Sequence, residues 1–281
     1  MRQRLLASSY PDELRDLGET IPPFLWAHGS LDVFDVRPRI AIVGTRRATA
    51  YGLRVTRELT TAFVRAGACI VSGLATGIDG AAHQAALDAN GTTIAVLGTG
   101  LDREYPRAHR ALQRMIGERG LLLSELDPAE HGWKSTFLER NRIIAALSTV
   151  TIVVEAPRES GALNTANHAL ELHRDLAAVP GPIDQPQSVG SNELIRTGAQ
   201  ILTSVEDALA LAKLTPPPRR SKTDPLGDEG RVWSALADGA LDIDSLCHRS
   251  GLPAAQCLAA VTKLEIAGSI ECALTGHIRR R

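Results

Sequence analysis

The chain has 281 residues, 44% hydrophobic and 22% charged, with a formal net charge of -1. That length buries a sizeable core and allows more than one domain, in the proportions of an ordinary globular protein. The near-zero charge excludes nucleic-acid binding by overall attraction, so any such site has to be a local patch.

Residues 1–38 are too few for a domain. Tyr10-Pro11 and Ile21-Pro22-Pro23-Phe24-Leu25-Trp26 read as a strap whose aromatics, Trp26 included, pack on the core that follows. From Arg39 the chain alternates. Strands are expected at 40–43, 69–71, 93–97, 121–124, 150–154, 176–179 and 200–202, and helices at 51–66, 79–89, 107–118, 139–147, 164–172 and 191–197. Unbroken apolar runs suit strands buried on both faces, and the alternation predicts an α/β fold with a Rossmann-like, doubly wound, mostly parallel sheet over 39–213. The prolines and cations of 214–227 predict a linker. Residues 228–281 show helical patterning at 228–237, 243–249 and 253–267, then a strand pair around 269–278. Gly251 lies at the second turn, so a small winged-helix domain is expected. The four cysteines (Cys69, Cys247, Cys257, Cys272) form no CxxC pair, which argues for free thiols in a reducing compartment rather than disulfides or zinc. Nothing near Met1 has a signal-peptide core, and no apolar run spans a bilayer, so a cytoplasmic protein without membrane attachment is expected.

The strand ends carry the chemistry. Ile40-Ala41-Ile42-Val43 runs into Gly44-Thr45-Arg46-Arg47, a turn at the carboxyl end of a strand and before a helix. Backbone N–H groups there favour anions, and the two arginines add fixed positive charge. Ser72-Gly73-Leu74-Ala75-Thr76-Gly77 offers hydroxyls and close backbone approach after the second strand. Gly98-Thr99-Gly100, Pro157-Arg158-Glu159-Ser160-Gly161 and Pro180-Gly181 repeat the pattern on the same edge. Neither GxGxxG nor GxxxxGK[ST] is present, so no dinucleotide or Walker-type cofactor is expected. In Trp133-Lys134-Ser135-Thr136-Phe137-Leu138-Glu139-Arg140-Asn141-Arg142, the cations suit phosphates and Phe137 suits a base. Asn141 suits a base edge or a loop. Such interleaving fits unpaired strands, whose bases are free to stack. The same stretch also fits a core aromatic pair beside a solvated cationic face, and the residues alone leave both open.

Catalytic candidates are thin. Ser72, Asp79 and His83 lack a GxSxG elbow, and Asp79 and His83 at i and i+4 read as a local pair orienting the helix start. Glu125 and Glu155 follow strands, where loop hydrogen bonding is the commoner duty. Neither a catalytic residue nor a metal ligand is assigned.

Several motifs stand in one order. They are Ile42-Val43-Gly44-Thr45-Arg46, Ser72-Gly73-Leu74-Ala75-Thr76-Gly77-Ile78-Asp79, Ile94-Ala95-Val96-Leu97-Gly98 with Tyr105-Pro106, Phe137 with Arg140-Asn141-Arg142, Ser160-Gly161-Ala162, and Gly190-Ser191-Asn192-Glu193. In this the chain resembles the DNA-processing protein A family (DprA, also Smf) over about residues 10–211. The resemblance implies a single-stranded DNA-binding protein that protects incoming DNA and loads the RecA recombinase in natural transformation. It further implies a homodimer with no cofactor and no established reaction. Carried over by motif, Arg46 contacts the DNA backbone, with Gly44, Thr45 and Arg47 in its turn. Lys134, Arg140 and Arg142 supply flanking charge, and Phe137 stacks a base. Asn141, the Ser72–Gly73 loop, Ser160 and Gly161 line the pocket. Many members carry a helical SAM-like domain in front, and residues 1–38 match only its connection to the sheet. Asn164 stands where members have an aliphatic residue or hydroxyl, and is read as a helix cap. The last 54 residues resemble the family's winged helix. The recognition helix opens Pro253-Ala254-Ala255-Gln256 without a cation, and Arg279-Arg280-Arg281 is basic, which favours a protein-contact or accessory role.

The alternative from another class is a nucleotide or nucleoside-monophosphate hydrolase of a related Rossmann-like family. The matching loop, Pro157-Arg158-Glu159-Ser160-Gly161-Ala162, lacks that family's double glycine. A third reading, a ligand-sensing transcription regulator, predicts a duplex operator and is opposed by the cation-free recognition helix.

Overall fold

Apolar runs and amphipathic stretches fold in order as β1 (Arg2–Leu6), β2 (Phe24–Gly29), β3 (Arg39–Val43), α1 (Ala50–Arg65), β4 (Cys69–Ser72) and α2 (Ile78–Asp88). Next come β5 (Thr93–Leu97), α3 (Arg110–Arg119), β6 (Leu121–Ser124), α4 (Lys134–Glu139), α5 (Asn141–Leu147) and β7 (Val150–Val153). Then follow α6 (Gly161–Glu171), β8 (Asp175–Ala178), α7 (Val189–Arg196), β9 (Gln200–Ile201) and α8 (Val205–Leu211). This computed structural model describes residues 2–215, 227–237, 239–273 and 276–280. The chain divides into two units, Met1–Pro217 and Pro218–Arg281.

The first unit is built on one sheet in the order β1-β2-β6-β5-β4-β3-β7-β8-β9. Pairing is parallel from β6 through β9 and antiparallel at β1–β2 and β2–β6. Because successive side chains leave a strand on opposite faces, β3 divides its apolar run between two cores. Ala41 and Val43 join Ile143, Ile144, Ala162 and Ala166 from α5 and α6. Ile40 and Ile42 join Leu59, Phe63, Ile78 and Ala82 from α1 and α2. Helices therefore cover both faces, as a parallel sheet requires. Strand order runs one way from β3 to β6 and the other way from β7, so the crevice beyond the carboxyl ends of β3 and β7 is the topological switch point.

The strap does more than pack. Residues 2–6 and 24–29 are strands that extend the sheet beyond β6, which the sequence reading lacked. Only Leu5 of β1 is buried, and β2 buries Leu25 and Ala27, so the alternation is too short to stand out. Tyr10, Leu14, Leu17 and Phe34 sink into the core beside β6 and α5. Arg39 is fully buried, bonded to the Leu147 and Phe34 carbonyls at 2.6 and 2.7 Å and ion-paired with Glu13 at 2.7 Å. Trp26 packs on the α3 side of the sheet and donates its indole N–H to Asp127 at 3.1 Å.

The second unit carries α9 (Asp228–Ala235), α10 (Ile243–Ser250) and α11 (Ala254–Ile266), then the antiparallel pair β10 (Ile270–Cys272) and β11 (Ile278–Arg280). Gly251 ends α10 with φ +66°, a left-handed conformation in which a side chain is strained. Val232, Leu246, Cys257, Val261, Leu264 and Ile270 form its core, as in a winged helix. Most of the expected linker, and Arg281 of the terminal basic run, lie outside the described residues.

Candidate nucleic-acid interface

A crevice of about 1570 Å³ opens at the switch point, lined by the loops after β3, β5, β6 and β7 and by α4. Its floor is the turn after β3. The Thr45 N–H donates to the Glu155 carbonyl at 2.7 Å and Thr45 Oγ1 accepts from the Arg47 N–H at 3.2 Å, joining the two strand ends. A Cβ on Gly44 would lie 2.5 Å from Ile78 Cγ1, so only glycine lets this turn sit against α2. Beyond it Arg46 and Arg47 are exposed, and neither guanidinium has a hydrogen-bond or ion-pair partner among the described residues.

Across the crevice α4 presents Phe137. Its ring centroid is 5.7 Å from the Arg46 guanidinium, 6.0 Å from that of Arg140 and 5.1 Å from the Tyr105 ring. A Cβ on Gly98 would meet Phe137 Cδ1 at 2.5 Å, so glycine at the end of β5 makes the seat for the ring. Thr136 Oγ1 donates to the Gly98 carbonyl at 2.8 Å and accepts from the Trp133 N–H at 2.9 Å, fixing the start of α4 on that loop. Lys134, on the first turn of α4, is exposed without a partner among the described residues and lines the crevice.

The remaining expected residues separate by what they already hold. Arg140 is only 5% exposed; it bonds the Gly73 carbonyl at 2.7 Å, the Val96 carbonyl and Asn141 Oδ1. Burial lowers its pKa to about 10, against the pull of Asp79. It is a strut between strand ends that turns one edge to the crevice, rather than a free phosphate clamp. Arg142 does not reach the crevice. It forms a two-point pair with Glu125 at 2.7 and 2.5 Å and donates to the Thr20 carbonyl at 3.0 Å, tying α5 to β6 and the N-terminal segment. Ser72 is wholly buried with its hydroxyl on the Ile42 carbonyl at 2.7 Å, so it lines nothing. Gly73 borders a small side recess with Phe137 and Arg140.

Asn141 is nearly buried and donates to the Gly161 carbonyl at 3.2 Å and Asn164 Oδ1 at 3.0 Å, so of its two readings the loop-holding one is observed. Asn164 therefore does not cap α6. Ser160 does, accepting from the Ala162 N–H at 3.2 Å. Ser160 and Gly161 both face the crevice.

Asp79 and His83 do not pair. The Asp79 carboxylate accepts the Gly73 N–H at 3.2 Å, and burial raises its pKa against the pull of Arg140 and the backbone donors of Ala75, Gly73 and Gly44. His83 Nδ1 meets Thr93 Oγ1 at 2.7 Å; since that hydroxyl donates to the Ile70 carbonyl, the imidazole is the donor. Burial pushes the His83 pKa down to about 3 and keeps the ring neutral. Glu155 accepts the Thr49 N–H at 2.9 Å and the Thr49 hydroxyl at 2.5 Å, seating a carboxylate on the first turn of α1. Glu125 and Glu155 thus serve separate structural partners.

Residues given no binding role from the sequence complete the walls. Tyr105, Arg107, Arg110 and Trp133 line the crevice, with Trp133 69% exposed. Tyr105-Pro106 stands in the ordered motifs, but its nearness to Phe137, which gives the ring a place in the site, depends on how the loop after β5 meets α4.

Comparison with known proteins agrees with this architecture. The family model described as DNA recombination-mediator protein A matches residues 4–213, and the DprA winged helix domain matches 216–273. The putative DNA processing protein DprA of Mycobacterium tuberculosis is 43% identical over 261 residues, which are 89% of this chain and 67% of that protein. DNA processing protein DprA of Streptococcus pneumoniae is 43% identical over 206 residues, 73% of this chain and 72% of its own. The crystal structure of the pneumococcal protein superposes with a TM-score of 0.71 at 42% identity, covering 74% of this chain and 73% of that one. DNA processing protein A from Helicobacter pylori, known for a unique single-stranded DNA binding mode, superposes with a TM-score of 0.70 at 32% identity. It covers 76% of this chain and 96% of that one. Fold, switch-point crevice and matched length together make this chain a member of the DNA recombination-mediator protein A (DprA) family.

Proposed function

We propose that the chain binds single-stranded DNA in the switch-point crevice, protects it after uptake, and helps load the RecA recombinase during natural transformation. The observation that carries the reading is the set Arg46, Arg47 and Lys134, cations without a protein partner among the described residues, lining one crevice with the Phe137 ring, over which Arg46 lies at 5.7 Å. Unpaired guanidinium and ammonium groups attract phosphates, and a ring among them accepts a base only where bases are unstacked. The Helicobacter relative's single-stranded DNA binding supports the same assignment. The chain acts as a homodimer in the cytoplasm, and the winged helix serves protein contact. Its recognition helix opens with exposed Ala254, Ala255 and Gln256, which carry no charge for phosphates. The protein binds DNA without transforming it. Against nucleotide hydrolysis count the commitments of Glu155 to Thr49 and of Glu125 to Arg142.

The test is equilibrium binding of labelled oligo-dT and of duplex DNA across a salt series. A clear single-strand preference, weakened by Arg46→Ala and by Phe137→Ala, is expected. Equal binding of duplex, or indifference to both substitutions, overturns the assignment, and release of free base from AMP would restore the hydrolase.

A further inference from the structure

In contact with the half-buried Phe137 the crevice holds another ring, an exposed one. Tyr105 is 45% exposed, and its hydroxyl has no hydrogen-bond partner among the described residues. The two rings stand 5.1 Å apart with their planes inclined at 47°. At that inclination they are two platforms and not one stack, since each turns a face in its own direction.

The charges around Tyr105 are arranged unevenly. Glu104 is held by Arg110 at 2.7 Å and Arg114 at 2.9 Å, Asp102 by Arg2 at 2.5 Å, and Arg103 donates to the Ala129 carbonyl at 2.5 Å. Arg107 is left exposed, without a partner among the described residues, on the crevice wall two residues from the ring. The wall at this loop thus offers what Arg46 and Phe137 offer across the crevice: one cation without a partner among the described residues and one accessible ring, two residues apart in the chain.

We infer that Tyr105 and Arg107 form a second nucleotide step, Tyr105 stacking the base next to the one on Phe137 and Arg107 neutralising a phosphate of that nucleotide. This rests on the single-stranded DNA reading above. It makes the crevice a two-step track for consecutive nucleotides, and places the second step on the loop after β5.

The test uses the full chain and fluorescein-labelled dT oligomers across a salt series, with an all-abasic oligomer of equal length as second probe. Tyr105→Ala is expected to weaken dT binding by roughly five- to 150-fold, the usual range for a stacking ring, with an unchanged salt slope. Tyr105→Phe retains wild-type affinity. On the abasic strand, Tyr105→Ala binds like wild type, because no base is present to stack. Arg107→Ala flattens the dependence of log K on log salt by about 0.7. The inference is overturned if Tyr105→Ala and Arg107→Ala both bind dT like wild type while Phe137→Ala does not; the single-strand reading then survives. It is also overturned if the Tyr105→Ala loss persists on the abasic strand, or if Tyr105→Phe shares it. Should Tyr105→Ala unfold, the exposed Arg107 variant and Tyr105→Phe still decide. A wild-type protein that ignores dT refutes the single-strand reading itself.

Discussion

Arginines that look alike in sequence divide by what surrounds them. Arg46 ends in open crevice, whereas Arg142, five residues beyond Phe137, is locked to Glu125 and Thr20. Arg46→Ala is therefore expected to lower oligo-dT affinity and flatten its salt slope by about 0.7. Arg142→Ala should leave the slope intact and cost about 2 kcal/mol in urea unfolding, for the loss of charged hydrogen bonds. The exposure of Arg46 at the crevice was legible because a strand-end turn names its own exposure. The Arg140 and Arg142 assignments were not, since burial of a guanidinium depends on carbonyls and carboxylates distant in sequence, such as Gly73, Val96 and Glu125. His83 illustrates the same dependence in pH. Its ring refuses a proton in the folded state down to about pH 3, while the unfolded chain accepts one below 6.5, so its contribution to stability falls as pH drops through that window. Asp79, whose pKa is raised, acts with opposite sign: stability falls as pH rises through that pKa. The gap in urea midpoint between wild type and His83→Gln should narrow as pH falls from 6.5 toward 3.

At the scale of elements, long apolar strands and their following turns were readable, while short or tertiary-dependent pieces were not. β3, β5 and β7 announced themselves by continuous apolar runs. The strands β1 and β2 did not, because an edge hairpin with three buried side chains carries too little pattern, and α8 was missed altogether. The expected helix at 139–147 proved to be α5 preceded by a separate α4 that ends before Arg140, whose side chain turns into the strand ends. The link between the N-terminal segment and the sheet is testable through Arg39. Removing Glu13 leaves a fully buried guanidinium without its counter-charge, and Glu13→Ala is expected to cost about 3–5 kcal/mol in urea unfolding. The seat of α4 is testable through Gly98. The methyl of Gly98→Ala displaces the Phe137 ring, so oligo-dT affinity should fall by no more than the roughly 1–3 kcal/mol of a lost stack, with the salt slope unchanged.

For the whole molecule, a net charge of -1 leaves attraction for phosphate to local groups, and the crevice gathers Arg46, Arg47, Arg107 and Lys134 on one edge of the first unit. All the crevice residues fall in Met1–Pro217. A fragment ending at residue 215 is accordingly expected to bind oligo-dT with the affinity and salt slope of the full chain, measured by the same titration. The carboxylate of Glu155, seated on Thr49 at the first turn of α1, carries this separation further. That helix start is where a free nucleotide docks its phosphate in many sheets of this kind, and here the chain sits in its own guest's chair. On the single-strand reading, a carboxylate already seated there repels a free phosphate, so occupancy is expected to follow the supply of DNA strands rather than that of nucleotides. A large excess of ATP or AMP should leave oligo-dT bound to the wild-type protein, whereas Glu155→Ala should make the complex sensitive to both.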